Sequence, residues 1–450
     1  MQRTKRNCPC CSFDLDLFLP DSEKKGVKEE DKCDEDDIDS PLLSSPPNIS
    51  ETFDRLVSAS SGVENEGGSQ IIIVDTHGHA QLDRGRNNVY ELQIARNENS
   101  VNHEERKNDF GSRNENFHVK TLACSVEPAD FGITLKYAAT SDSILPALGV
   151  HPWYIENLPN FASMTSRNID GSHGDDPENI DDFDEIDSEW LLPMEKLLIE
   201  HPNCLVGEIG LCKIAKWVRT HPDGKARAMG IQKRIFKKQM ILAAKLRRPV
   251  SVHCVNSHGI FVAAIKELVE MQKNEEDTAR AADNERHSGS RRFLLPTVIA
   301  MHSFTGTAHH VKELLELEDQ IDFPNDRFRT AMGKKKVPKD KEEKCSRIMK
   351  APLTSTRPPL FYFGFSHTVN YAMCTSEKSR KKGVEAVQAV PLNRLLVESD
   401  VHSDADVAGG TIGAISYVSW ARDIHPREIA SATSKNGSVF LGSIGSSNGF

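Results

Sequence analysis

Aromatic residues make up only 6% of this 450-residue chain and hydrophobic residues 38%, too few for a uniformly packed core of that length. A well-packed core diluted by polar segments is the reading that fits. No apolar run approaches the ~20 residues that span a bilayer, which excludes a transmembrane helix. The opening MQRTKRNCPCC is basic, but no apolar stretch follows it. A secretory signal is therefore not expected, and cytoplasmic or nuclear residence is. No GxGxxG follows the first strand candidate and no glycine-rich phosphate loop with lysine occurs, so nucleotide-fold signatures are missing. No GxSxG elbow follows a strand candidate, which leaves acyl-enzyme chemistry without its usual nucleophile. Ten cysteines scattered over this length read as reduced intracellular thiols. The spacing of Cys8, Cys10, Cys11 and Cys33 fits no standard zinc motif.

The net charge of −10 is unevenly spread. Residues 1–68 and 164–190 are strongly acidic, residues 326–350 strongly basic, and the remainder is close to neutral. Overall acidity thus does not exclude a polyanionic substrate. The basic run reads as a solvated insertion before it reads as a phosphate-contacting loop; its GKKKVPKDK stretch also has the composition of a nuclear signal. Segments 97–117, 164–188, 273–292 and 324–357 are polar and lack apolar periodicity, and are read as insertions. The expected organisation is a disordered acidic region over 1–68 and a single domain over 69–445, near the ~250 residues of one (β/α)8 barrel once the insertions are removed.

What remains alternates regularly. Short apolar or β-branched runs lie at 71–74, 119–125, 145–150, 204–209, 249–253, 298–302, 360–363 and 395–397, with helical patterns between most of them, as at 231–246. Eight nearly continuous apolar strands separated by helices point to a parallel sheet buried on both faces, closing as an α/β TIM-type barrel.

Polar residues stand at the ends of these runs. IIIVDTHGH places His77 and His79 two apart, on one side of an extended chain. Glu208 lies near the end of the fourth run, His253 ends the fifth, His302 the sixth, and Asp400 lies just past the eighth. Any one of them alone reads more easily as a hydrogen-bonded core or loop residue. Five strands delivering such groups to one rim, where barrel active sites lie, do not. Imidazoles and carboxylates without thiolate suit one or two divalent ions: magnesium, manganese, zinc or iron. Cys254, next to His253, points away from that rim by strand alternation.

The segments DTHGH, GVHP, GEIGL, RPVSVHC, MHSFTGT, FYFG and PLNRLLVESD resemble the TatD family of metal-dependent deoxyribonucleases, in its eukaryotic branch. The resemblance runs from about residue 71 to 441, excluding the insertions, and includes the closing helices. It implies a metal-dependent hydrolase that cleaves phosphodiester bonds of DNA with metal-activated water. His77 and His79 would hold one metal, Glu208 would bridge two, His253 and His302 would complete the shell, and Asp400 would be both ligand and general base; Asp400 and Glu208 carry the catalysis. Departures are visible. HGHAQLD displaces Asp83, Cys212-Lys213 stand where Asp-Tyr is usual, and ESDVHSD adds His402 and Asp404. His151 of GVHP is not counted as a ligand in the family. Two other readings stay open: a small-molecule amide or ester hydrolase, and a barrel scaffold acting as an interaction protein. Neither a membrane partner nor a particular oligomeric state is implied.

Overall fold

In the computed structural model the described residues are 7–8, 13–14, 46–58, 71–82, 117–159, 161, 184–282, 294–321 and 358–443. The eight expected strands all form: β1 Ile71–Gly78, β2 Phe117–Cys124, β3 Ile144–Leu148, β4 Leu205–Cys212, β5 Val250–Val255, β6 Ile299–His302, β7 Phe361–Ser366 and β8 Leu395–Glu398. They pair in sequence order, every pair parallel. The seam between β8 and β1 is joined differently. Thr76 Oγ1 donates to the Val397 carbonyl at 3.1 Å. Asp400 N donates to His77 O and His79 N to Val401 O. The sheet thereby closes on itself at the rim where the polar residues gather, as the eight alternating runs predict.

The helices among the described residues are α1 Ile49–Val57, α2 Phe131–Ala138, α3 Asp184–Glu200, α4 Lys216–Thr220, α5 Gly224–Lys245, α6 His258–Ala282, α7 Ala308–Gln320, α8 Glu377–Ala389, α9 Val407–Arg422 and α10 Pro426–Gly442. Helix α10 lies against the seam. Its Gly437 approaches so closely that a Cβ there would sit 2.7 Å from Val74 Cγ1. Asn436 Nδ2 donates to the Leu392 and Leu395 carbonyls, tying the helix to the entry of β8.

Helices overlap three of the expected segment boundaries. Helix α1 lies inside the region expected to be disordered over 1–68. Asn48 caps it, accepting from Glu51 N at 2.7 Å, and Phe53 and Leu56 are buried. Phe53 meets Phe117 edge to face at 5.2 Å, and Ser416 of α9 and Arg427 of α10 bond to its backbone or entry. The apolar spacing at 49, 53 and 56 is a single short stripe, too brief to stand out from its acidic surroundings. The insertion expected over 164–188 is helical from Asp184, and the one over 273–292 is helical through Ala282, because polar composition is also what a solvated helix shows. Apart from the residue pair 7–8 and 13–14, which form a short antiparallel ladder, the rest of 1–45 lies outside the described residues, including Cys10, Cys11 and Cys33. So do most of 97–117, 164–183 and 324–357.

Helix α1 supplies a stability prediction. Truncation to residue 46 should leave the urea midpoint unchanged. Truncation to residue 69 removes Phe53 and Leu56 and uncovers Phe117; burying two such side chains contributes about 3 kcal/mol or more. A 69–450 chain as stable as the full one would show α1 to be dispensable.

Candidate metal centre

The six residues named from sequence lie together at the C-terminal rim of the strands. Glu208 is the hub. Its Oε2 faces His79 Nε2 at 3.1 Å and His77 Nε2 at 3.4 Å. Its Oε1 faces His253 Nδ1 at 3.1 Å, His151 Nε2 at 3.3 Å and His302 Nε2 at 3.6 Å. Asp400 Oδ2 lies 3.7 Å from His302 Nε2. Each of Glu208, Asp400, His77, His79 and His302 is buried; His253 is partly so.

Local structure puts them there. Gly210, two residues beyond Glu208, pairs with His253 so closely that a Cβ would overlap the His253 carbonyl, which lets β4 and β5 hold their acid and imidazole side by side. Asp400 takes the left-handed conformation, φ 52°, one that Asp tolerates better than most residues. That turns the chain sharply after β8 and presents the carboxylate over His302. Ser303, also left-handed at φ 36°, donates from Oγ to Asp400 Oδ2 at 3.1 Å.

The groups here are of the types that ligate divalent cations. His77 Nε2 and His79 Nε2 face each other at 3.2 Å, and both face the Glu208 carboxylate. His79 Nδ1 lies 2.7 Å from the Cys124 carbonyl, an acceptor, so Nδ1 carries the proton and Nε2 turns a lone pair inward. His253 Nε2 is buried without a hydrogen-bond partner. Three groups have ligand atoms mutually close enough to share one ion: His77, His79 and Asp400; His77, Glu208 and His302; His151, Glu208 and His253. Converging lone pairs and carboxylate oxygens in a buried pocket are satisfied by a divalent cation, so the residues present fit such an ion.

Electrostatics reflect the crowding. Burial alone would raise Glu208, but the surrounding imidazoles of His151, His302 and His77 hold it well below the usual carboxylate range. Burial pushes Asp400 up, against the pull of His302 and His79. His77 is driven well down by burial and by the charge of His302. His302 loses to burial but gains more from Glu398, Asp400 and Glu208, reaching about 9.

Residues missed in the sequence form a layer beneath. Ser251 Oγ lies 2.8 Å from His77 Nδ1. Glu398 Oε1 sits 3.0 Å from His302 Nδ1, off the direction of a good hydrogen bond, and accepts from Ser303 N. Asp75 accepts from Ser399 N at 2.8 Å, Ser399 Oγ at 2.7 Å, Thr121 Oγ1 at 2.8 Å and His77 N at 3.3 Å. Asp75 and Ser251 stand two residues before His77 and His253 on the same strands, so period-two alternation would have found them, while Glu398 is the last residue of β8. Cys212 lies four residues after Glu208 on the same side of β4, which runs longer than expected, to Cys212 itself. Trp153 Nε1 donates to its sulfur at 3.0 Å. Burial would raise this thiol, but His253 and Trp153 bring it below its usual value. Cys254 is turned away, as alternation predicts, and burial holds its thiol far up. His402 packs on His79, ring centroids 5.0 Å apart, and Asp404 accepts from Tyr137. Asp83 lies outside the described residues.

Burial pushes Asp75 up to about 7 while its four donors favour the ionised form. Asp75→Asn would set an amide NH2 against those donors. A loss of about 1–3 kcal/mol is expected from a buried hydrogen bond left unmade, measured as a lower urea midpoint. An unchanged midpoint would remove Asp75 as the clasp between β1 and β8.

Among the described residues no helix is long and apolar enough to cross a membrane. Cut9-interacting protein scn1 of Schizosaccharomyces pombe is 23% identical over 333 residues, covering 66% of this chain and 84% of that one. Two solved structures align over most of the chain. The TatD homologue YJJV of Escherichia coli is 16% identical with TM-score 0.44, covering 82% of this chain and 97% of its own. An uncharacterized amidohydrolase of Saccharomyces cerevisiae is 13% identical with TM-score 0.46, covering 82% and 98%. The family described as TatD related DNase matches residues 74–349, the stretch that carries His77, His79, Glu208, His253 and His302. More than half the chain follows that family's pattern, and this protein belongs to the TatD related DNase family.

Proposed function

We propose that this chain is a divalent-metal-dependent deoxyribonuclease that hydrolyses phosphodiester bonds at the Glu208 centre. The observation that carries this is the division of Glu208: one oxygen faces His77 and His79, the other His253 and His302. A carboxylate so placed is built to bridge two cations. Membership of the TatD related DNase family supports this reading. Divalent ions there would lower the pKa of a water toward neutrality and offset charge growing on phosphate oxygens.

The chain's own residues do the rest. Asp400 is placed to accept the water's proton through Oδ2, which Ser303 and His302 hold in position. Its burial raises its proton affinity, which makes it a stronger base than an exposed carboxylate once it is ionised. Glu208 stays ionised and keeps the imidazoles around it. Glu398 and Ser251 orient His302 and His77 from behind. DNA is the proposed partner, and magnesium, manganese or zinc the proposed cofactor.

The test is a comparison on the full chain loaded with each metal. Labelled single- and double-stranded DNA and panels of esters and amides are supplied as substrates. Cleavage of DNA that a chelator abolishes and added metal restores supports the proposal. Turnover of esters or amides alone makes this a small-molecule hydrolase. Absence of both metal uptake and turnover leaves a barrel that acts as an interaction protein.

A further inference from the structure

His151 Nε2 lies 3.3 Å from Glu208 Oε1, its ring centroid is 4.5 Å from that of His253, and the three side chains have ligand atoms close enough to share an ion. Distance alone would make it a metal ligand. The other ring nitrogen says otherwise. The backbone N–H of Trp153 donates to His151 Nδ1 at 3.1 Å. A backbone N–H is only a donor, so Nδ1 is an acceptor and bears no proton. In a neutral imidazole the proton then sits on Nε2, the nitrogen that points at Glu208. A metal-binding imidazole shows the reverse arrangement, with its outer N–H given to a carbonyl or carboxylate and its lone pair turned to the ion. His79 has that arrangement, through Cys124 O.

The bond to Nδ1 belongs to a local turn. His151 precedes Pro152, and the N–H two residues on reaches back to the ring. The same bond occurs at His221-Pro222-Asp223 and at His425-Pro426-Arg427, both remote from the centre in sequence. His151 is also held by its own backbone, His151 N donating to Val126 O at 2.8 Å, and is buried. A rotated ring would leave the Trp153 N–H without its acceptor.

We propose that His151 is a positioning residue: a neutral donor whose Nε2–H fixes Glu208 Oε1, rather than a ligand of a further cation. Held on that side, Glu208 keeps its Oε2 directed at His77 and His79 and does not swing both oxygens to one half of the centre. This rests on the reading of the centre as a metal site, but not on the identity of the substrate.

The experiment uses the full chain, native, His151→Ala and His151→Gln. Glutamine carries an amide N–H near the position of Nε2 and so replaces the donor. Manganese or zinc binding is measured by calorimetry, and hydrolysis alongside it. Loss of an outer hydrogen bond to a ligand lowers metal affinity or activity by about 10–100-fold. His151→Ala should show that loss with the native number of cations bound, and His151→Gln should recover most of it. A cation count lower by one in either variant, or no recovery in His151→Gln, overturns the proposal. Should His151→Ala fail to fold, histidine-selective 15N NMR of the native protein loaded with cadmium-113 decides it, the His151 signals being those lost in His151→Gln. A protonated Nε2 without coupling to cadmium is expected; coupling of Nε2 to cadmium refutes it. If the native chain takes up no cation, the metal reading fails, while the NMR of the unloaded protein still reports the tautomer.

Discussion

Asp400→Asn should reduce phosphodiester hydrolysis by about 10²–10⁴-fold, the range for loss of a general base, while most of the bound metal remains. The substituted side chain keeps one oxygen for a cation and a partner for Ser303 Oγ, which now bonds Asp400 Oδ2 at 3.1 Å. It cannot take up a proton. The backbone need not move, because asparagine tolerates the left-handed conformation that Asp400 adopts at φ 52°. The measurement is metal per chain beside cleavage of labelled DNA. Full activity in Asp400→Asn would show that the proton goes elsewhere, and would break the resemblance at its most informative residue.

Glu208→Gln should behave differently, losing metal and activity together. Both carboxylate oxygens of Glu208 are within 3.6 Å of imidazole nitrogens from five histidines, brought in by β1 and its end, β5, β6 and the loop after β3. A neutral amide removes the central negative charge and puts an NH2 against a ring of nitrogens. Loss of one partner in a buried charged cluster costs about 3–5 kcal/mol, so the melting temperature should fall as well. The contrast with Asp400→Asn separates a residue that holds the centre together from one that works within it. Equal metal content in both variants would mean that Glu208 is not the bridge. Activity in both would place catalysis outside this cluster.

Much of this was legible before folding. The eight strands could be read because strands buried on both faces need continuous apolar runs, and the runs were short, bounded and separated by helical periodicity. The rim residues were readable because side chains two apart in a strand share a side. His77 and His79 follow from that rule alone. Asp75 and Ser251 obey it equally, one step deeper in the same strands, and Glu398 closes β8. Helix α1 was hidden by composition: four apolar residues in a single nine-residue helix are a weak signal inside an acidic stretch. Its order comes from Phe117 and from helices α9 and α10, which lie far along the chain.

The sequence by itself determined the barrel, the order of its strands and which side chains reach the rim, since these follow from local periodicity and from the alternation of a pleated chain. Tertiary structure alone decided which groups face which. The sharing of Glu208 between two sets of imidazoles, the clasp of Asp75 on Ser399 and the contact of Cys212 with Trp153 all join residues dozens to hundreds of positions apart. No local rule carries that information, because such distances are set by how eight strands tilt and close around a common axis.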